Sequence, residues 1–240
     1  MFGRNRLDVK TPDQIRLMRQ AGVIVGQTLD LLRDQAQPGV TTGDLDKAAE
    51  DFIRGKGATP SFLGYHGYPA SLCVSVNDEV VHGIPGPRTL RLGDVVSIDC
   101  GAILAGWHGD AAISLIVGGR EAGSVRDLAL MDATEASMWA GIGALAVGQP
   151  LYDVGAAVEE CIVDAEREGG ATDGISEDYV GHGIGTEKNT DPQGPNSRAR
   201  HRGLVGRTGD NWASNSASPS TRFSLCETST MPTTLLSPLR

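Results

Sequence analysis

Asp99 lies at the end of Val95-Val96-Ser97-Ile98, and Asp110 lies just ahead of Ala111-Ala112-Ile113-Ser114-Leu115-Ile116. Each carboxylate therefore sits in or beside an apolar, extended-looking segment, where an unpaired charge costs several kcal/mol of desolvation. If the two segments form a hairpin turning about Leu104-Ala105, the acids face each other directly, with Cβ atoms about 4.5–5.5 Å apart. Carboxylates that close repel unless one is protonated or a cation lies between them. A divalent ion, or two ions bridged by a carboxylate, resolves the conflict; so does the plainer arrangement in which both acids end strands and face water. Two imidazoles bear on the choice. His182 stands in Gly181-His182-Gly183-Ile184-Gly185-Thr186, and His82 stands in Val80-Val81-His82-Gly83-Ile84-Pro85, where a Gly/Pro turn restricts the backbone around it. Alone, either histidine would be an ordinary loop residue.

The elements that must position these residues follow from pattern. Thr11-Pro12-Asp13-Gln14 reads as a capping box, with proline at the first helical position. The helix it opens runs to about Gln35, with an apolar stripe of Ile15, Met18, Val25, Leu29 and Leu32. A second helix is expected from about Thr42 to Gly55. Short strands are expected at Ser71–Val76, Val95–Asp99 and Ala112–Val117, and two more helices at about Ser124–Ala146 and Val154–Glu168. A weak repeat runs through this order: Gln37-Pro38-Gly39 with Asp44-Leu45, and Gln149-Pro150 with Asp153-Val154, each follow a long helix. The shared spacing suggests two related halves.

Composition narrows the class. With 240 residues, 40% of them hydrophobic and 21% charged, the chain can bury a sizeable core. A net charge of −9 makes a nucleic-acid partner unfavourable. No run nears the roughly 18 apolar residues of a membrane helix, and the start, Met1 to Gln14, shows no apolar signal segment, so a cytoplasmic protein is expected. Cys73, Cys100, Cys161 and Cys226 stand far apart with no CxxC pair, which suggests neither a disulfide framework nor a thiolate zinc site.

Five segments together resemble the type I methionine aminopeptidases of the M24 metallopeptidase family, in order and at matching spacing. They are Tyr65-His66-Gly67-Tyr68-Pro69, Asn77 to Pro85, Ile98-Asp99-Cys100-Gly101, Gly106 to Ala112 and Gly181 to Gly185. The resemblance implies an α/β (α+β), pseudo-symmetric pita-bread fold of the creatinase/aminopeptidase type. It implies removal of the N-terminal methionine from peptides and nascent chains, by a monomer with no membrane or nucleic-acid partner. It also implies two divalent metal ions, whether Co, Mn, Fe or Zn, with Asp99 binding one of them bidentately, Asp110 bridging both and His182 donating a ring nitrogen. His82 would be the catalytic and substrate-binding residue near the scissile amide. Tyr65, Tyr68, Cys73 and Phe62 match the pocket for the methionine side chain. A proline peptidase or creatinase of the same fold is disfavoured by the short region before Thr11.

The resemblance covers about residues 11–192, after a short extension at 1–10. Two glutamates that the family places after the second histidine motif have no counterpart here. Beyond Glu187 the only glutamate is Glu227, whose surroundings differ, and Asn189 stands where a second substrate-contacting histidine is expected. Residues 193–240 hold six Arg against two acids, with eight Ser and six Thr, and are expected to be disordered, leaving the fold's C-terminal part incomplete. A shifted reading frame would produce such a change, and sequencing the DNA for residues 185–200 tests it. The expected consequence is a weakly stable chain with little peptidase activity. A different class of function, a non-catalytic pita-bread module that binds peptides or a protein, is set against this by the retained Asp99, Asp110, His82 and His182.

Overall fold

A computed structural model describes residues 8–145, 148–169, 175, 179–200 and 204–205, and the backbone of 212–217 and 224–229. Helix α1 (Pro12–Gln35) starts at the expected capping box: the Thr11 hydroxyl accepts from the Gln14 amide, and the Gln14 side chain accepts from the Thr11 amide at 2.8 Å. Helix α2 (Thr42–Gly55) repeats the device with Thr41 and Asp44. Because α1 lies along the sheet, its start has consequences for the whole core. Thr11→Ala is expected to cost about 1 kcal/mol in chemical denaturation, the ordinary cost of losing a capping hydroxyl.

After the two-residue strand β1 (Thr59–Pro60) come β2 (Leu72–Val76), β3 (Val95–Leu104) and β4 (Trp107–Ile116). Both β3 and β4 are longer than the sequence pattern suggests, so Asp99 and Asp110 lie inside strands and not at their ends. Helices α3 (Val125–Ala144) and α4 (Asp153–Gly169) follow, then β5 (Val180–Gly183), β6 (Thr190–Pro195), β7 (Trp212–Ala217) and β8 (Ser224–Ser229). The sheet order is β1-β3-β4-β8-β7-β5-β6, with β2 also paired to β3. Thus β6 spans the boundary expected near Pro192, and the tail expected to be disordered contributes β7 and β8. Backbone pairing satisfies main-chain groups whatever the side-chain period, which is why the apolar pattern of the tail did not announce these strands.

The main core lies between α1, α2 and one face of β2–β4, where Val96, Ile98, Cys100 and Ala102 meet Val25, Leu29, Leu32 and Leu45. A second cluster, Val154, Val158 and Ile162 with Leu151, forms around α4, which packs on α3. The weak repeat has a physical counterpart here. Each helix pair is joined by a turn held by an isolated bridge, Thr41 with Thr89 before α2 and Pro150 with Val205 before α4. Between β4 and β8 the register records only Ala111 opposite Glu227. Beyond it a cavity of about 560 Å³ opens between Arg33, the β4 edge at Ala112–Ile116, and Met131 and Met138 of α3. Among the described residues no helix is long and apolar enough to cross a membrane.

Candidate functional site

The β3–β4 hairpin turns at Ala105-Gly106, one residue later than the sequence reading placed it, so that Leu104 pairs with Trp107. Both turn residues have left-handed φ, +50° and +81°, and glycine in the second position makes this two-residue turn accessible. The direct apposition expected for the two acids is therefore corrected: Asp110 faces Gly101, and Asp99 faces Ala112. The shift is by two residues, which preserves the side-chain face. Asp99 and Asp110 are diagonal neighbours on one face of the sheet, the face opposite α1 and α2. Diagonal Cβ atoms stand up to about 7–8 Å apart, and the two carboxyl groups still reach each other across that spacing.

Glycines let neighbouring elements pack closely on both faces here. A Cβ on Gly101 would come within 2.7 Å of the Phe62 ring, and one on Gly109, on the other face, within 2.6 Å of the backbone of Gly22 in α1. The glycine flanking Asp110 thus lets the helix lie directly on the strand that carries the acid. Asp110 is fully buried, and neither of its carboxylate oxygens has a hydrogen-bond partner; Asp99 Oδ1 is likewise buried and unpartnered. Burial first, and the neighbouring Asp110 charge second, push the Asp99 carboxyl well above the usual carboxylate range, with Lys188 opposing them. Three orphaned carboxylate oxygens in one buried spot fit a bound cation, since such groups are otherwise satisfied.

His182 lies on β5, separated from β4 by β8 and β7 in the sheet. It is buried, and its Nδ1 stands 3.0 Å from the Gly183 carbonyl. Donation from Nδ1 leaves Nε2 as the acceptor, the tautomer suited to a metal ligand. Among the described residues, however, no three His, Cys, Asp or Glu side chains are grouped to hold one ion. The structure brings the two acids together and leaves His182 outside such a group. Glu227 pairs through its backbone with Ala111, beside Asp110; its side chain is outside the described residues.

His82 is held by strand β2. Gly83, beside it, accepts from the Val74 amide at 2.9 Å, and a Cβ there would stand 2.3 Å from the Val74 carbonyl oxygen. Only glycine permits that approach, and it leaves His82 at φ +69°, a conformation few side-chain-bearing residues adopt. Although His82 keeps one side open to solvent, desolvation by its surroundings, then the Lys188 charge, lower its pKa, with Asp110 opposing. Cys73 lies opposite Asp99 across β2 and β3, and burial, then Asp99, push its thiol up to about 12. The Tyr68 hydroxyl stands 2.9 Å from the Leu72 carbonyl and 3.1 Å from that of Gly83, and donates there. Phe62 is buried and Tyr65 partly exposed beside it.

Two residues at the site carry no role in the sequence reading. His108 is buried, with its Nδ1 3.2 Å from Ser61 Oγ and its amide donating to the Gly185 carbonyl, so the loop after β5 is tied to the start of β4. Lys188, in that loop, places its ammonium 3.8 Å from the Phe62 ring centroid. A lone lysine in a polar loop gives no sequence signal.

The sequence model of metallopeptidase family M24 matches residues 16–212, most of the chain. This chain belongs to metallopeptidase family M24. Methionine aminopeptidase 1 of Mycobacterium tuberculosis is 50% identical over 202 residues, which cover 84% of this chain and 75% of that protein. A crystal structure of methionine aminopeptidase from Rickettsia prowazekii superposes with a TM-score of 0.82 at 29% identity, covering 92% of this chain and 90% of that one. The methionine aminopeptidase of Thermotoga maritima gives 0.81 at 32% identity, with the same coverage. The M24 match extends past residue 192, where the segment-by-segment resemblance ends, and the pita-bread fold expected from the sequence is the fold of these neighbours.

Proposed function

We propose that this M24 chain is a metallohydrolase of the methionine aminopeptidase type, with residues 11–192 carrying its site. Asp99 and Asp110 would hold divalent ions, two in number, and His182, which stands outside that pair on β5, would have to approach it to contribute Nε2. The observation that supports this reading is the cluster of three buried carboxylate oxygens without hydrogen-bond partners on one sheet face. A bound divalent ion would lower the pKa of a water and polarise the scissile carbonyl.

The chain's own residues supply the rest. Phe62, Tyr65, Tyr68 and Cys73 offer the apolar, polarizable surroundings that suit a methionine side chain. The raised pKa keeps the Cys73 thiol neutral, so it neither repels the carboxylates nor competes as a thiolate ligand. His82, with its pKa lowered, is neutral near pH 7 and presents one ring N–H and one acceptor to the substrate backbone. The substrate class is the N-terminal methionine of peptides and nascent chains, met in the cytoplasm by a monomer.

Turnover is the point at which this chain departs from its relatives. The two glutamates expected after residue 186 have no counterpart in sequence, and among the described residues the acids lack a third donor. Losing anionic ligands weakens metal retention and the alignment of the attacking water. Purified chain with Co or Mn is expected to release methionine from Met-Ala-Ser more than about a hundredfold more slowly than an intact enzyme. Release at a comparable rate would overturn the ligand-deficiency reading. Failure to take up any Mn or Co would favour the non-catalytic binding module instead.

A further inference from the structure

We propose that Lys188 is a built-in counter-cation of the Asp99/Asp110 pair, seated on the Phe62 ring, and that it competes with a divalent ion for the site. This inference rests on the metal-site reading above.

The geometry is a short chain of contacts. The Lys188 ammonium lies 3.8 Å from the Phe62 ring centroid and 5.9 Å from that of Tyr65, a cation seated between two aromatic faces. Phe62 is buried, and its ring edge packs on Gly101 so closely that no Cβ would fit between them. Gly101 is the register partner of Asp110 and stands two residues from Asp99 on β3. The ring that carries the ammonium therefore covers the sheet face beside both carboxylates.

The electrostatics agree. After burial and Asp110, which raise the Asp99 pKa, the Lys188 charge is the leading influence that lowers it. The same charge acts on His82, His108 and Cys73, groups on a loop, on β4 and on β2. Buried carboxylates demand positive charge. A divalent ion supplies it when bound, and an ammonium on a flexible four-carbon stem supplies part of it otherwise. When the ion enters, the two cations repel across the site, and that cost lowers metal affinity.

The test is a calorimetric titration of Mn(II) into the full chain and into Lys188→Met, Lys188→Gln and Lys188→Arg. Both neutral variants are expected to bind Mn(II) about tenfold more tightly than the parent, a modest repulsion at the effective dielectric of a partly buried site. Lys188→Arg is expected to restore the parent affinity. In EDTA at pH 7 the neutral variants are expected to melt below the parent, because the acids lose their counter-charge. Parent and neutral variants binding Mn(II) equally would overturn the role of Lys188 while leaving the carboxylate site intact. No uptake by any of the four proteins would overturn this inference and the metal-site reading together. Two neutral side chains of different polarity guard against a folding defect peculiar to one of them.

Discussion

Asp110→Asn is expected to stabilise the metal-free chain by about 1–3 kcal/mol, through removal of an uncompensated buried charge, while abolishing its uptake of divalent ions. Asp110 is fully buried, with neither oxygen partnered, and its charge is the second cause of the raised Asp99 pKa. An amide of the same shape removes the repulsion. The pH dependence carries the same sign. Because the folded state holds the Asp99 proton more tightly than the unfolded state, whose carboxyl titrates near the ordinary 3.8, stability is full below that pH. It falls as pH rises through the folded pKa. Melting temperatures in EDTA should therefore decline from acid toward neutral pH in the parent chain, and decline less in Asp110→Asn. A variant that melts lower than the parent at pH 7, in EDTA, would show that Asp110 is a structural acid with a partner of its own.

Gly109→Ala is expected to cost about 3 kcal/mol or more, at the upper end of what overpacking produces. The added Cβ would stand 2.6 Å from the Gly22 amide nitrogen, 2.7 Å from the Ala21 carbonyl carbon and 2.8 Å from the Gly22 Cα. All three are backbone atoms of a 24-residue helix, so no rotamer change can relieve the contact. Either α1 or β4 must shift, and β4 carries Asp110. Gly106→Ala is the control: nothing lies within 4 Å of its Cβ, so only the cost of its positive φ remains, about 1 kcal/mol. Urea denaturation of the two variants tests the difference, and equal midpoints would contradict the packing account.

How far the sequence reaches is clearest in the hairpin. The apolar alternation and the two acids announced a pair of strands with carboxylates on one face, and that face is correct. The register was not legible, because the expected turn at Leu104-Ala105 ignored the glycine one step later, which the left-handed turn needs. Helix α1 was legible because it begins with a reciprocal cap written in a few adjacent residues, Thr11 with Gln14, whereas α2 was read from its apolar face and its matching cap, Thr41 with Asp44, emerged only in the structure. Strands β7 and β8 were not, since Trp212–Ala217 and Ser224–Ser229 join the sheet through backbone pairing and carry no alternation to read. At the site, His82 was marked by its Gly/Pro neighbours. Lys188 was invisible, because its place depends on a tertiary contact with Phe62, 126 positions earlier in the chain.

Crystals of the chain soaked in Mn(II) and measured for anomalous scattering test the central claim most directly. The expected result is a peak within coordination distance of both Asp99 and Asp110 on the shared face of β3 and β4. Ordered protein with no peak between those two carboxylates, or with the carboxylates turned toward opposite faces, would contradict it.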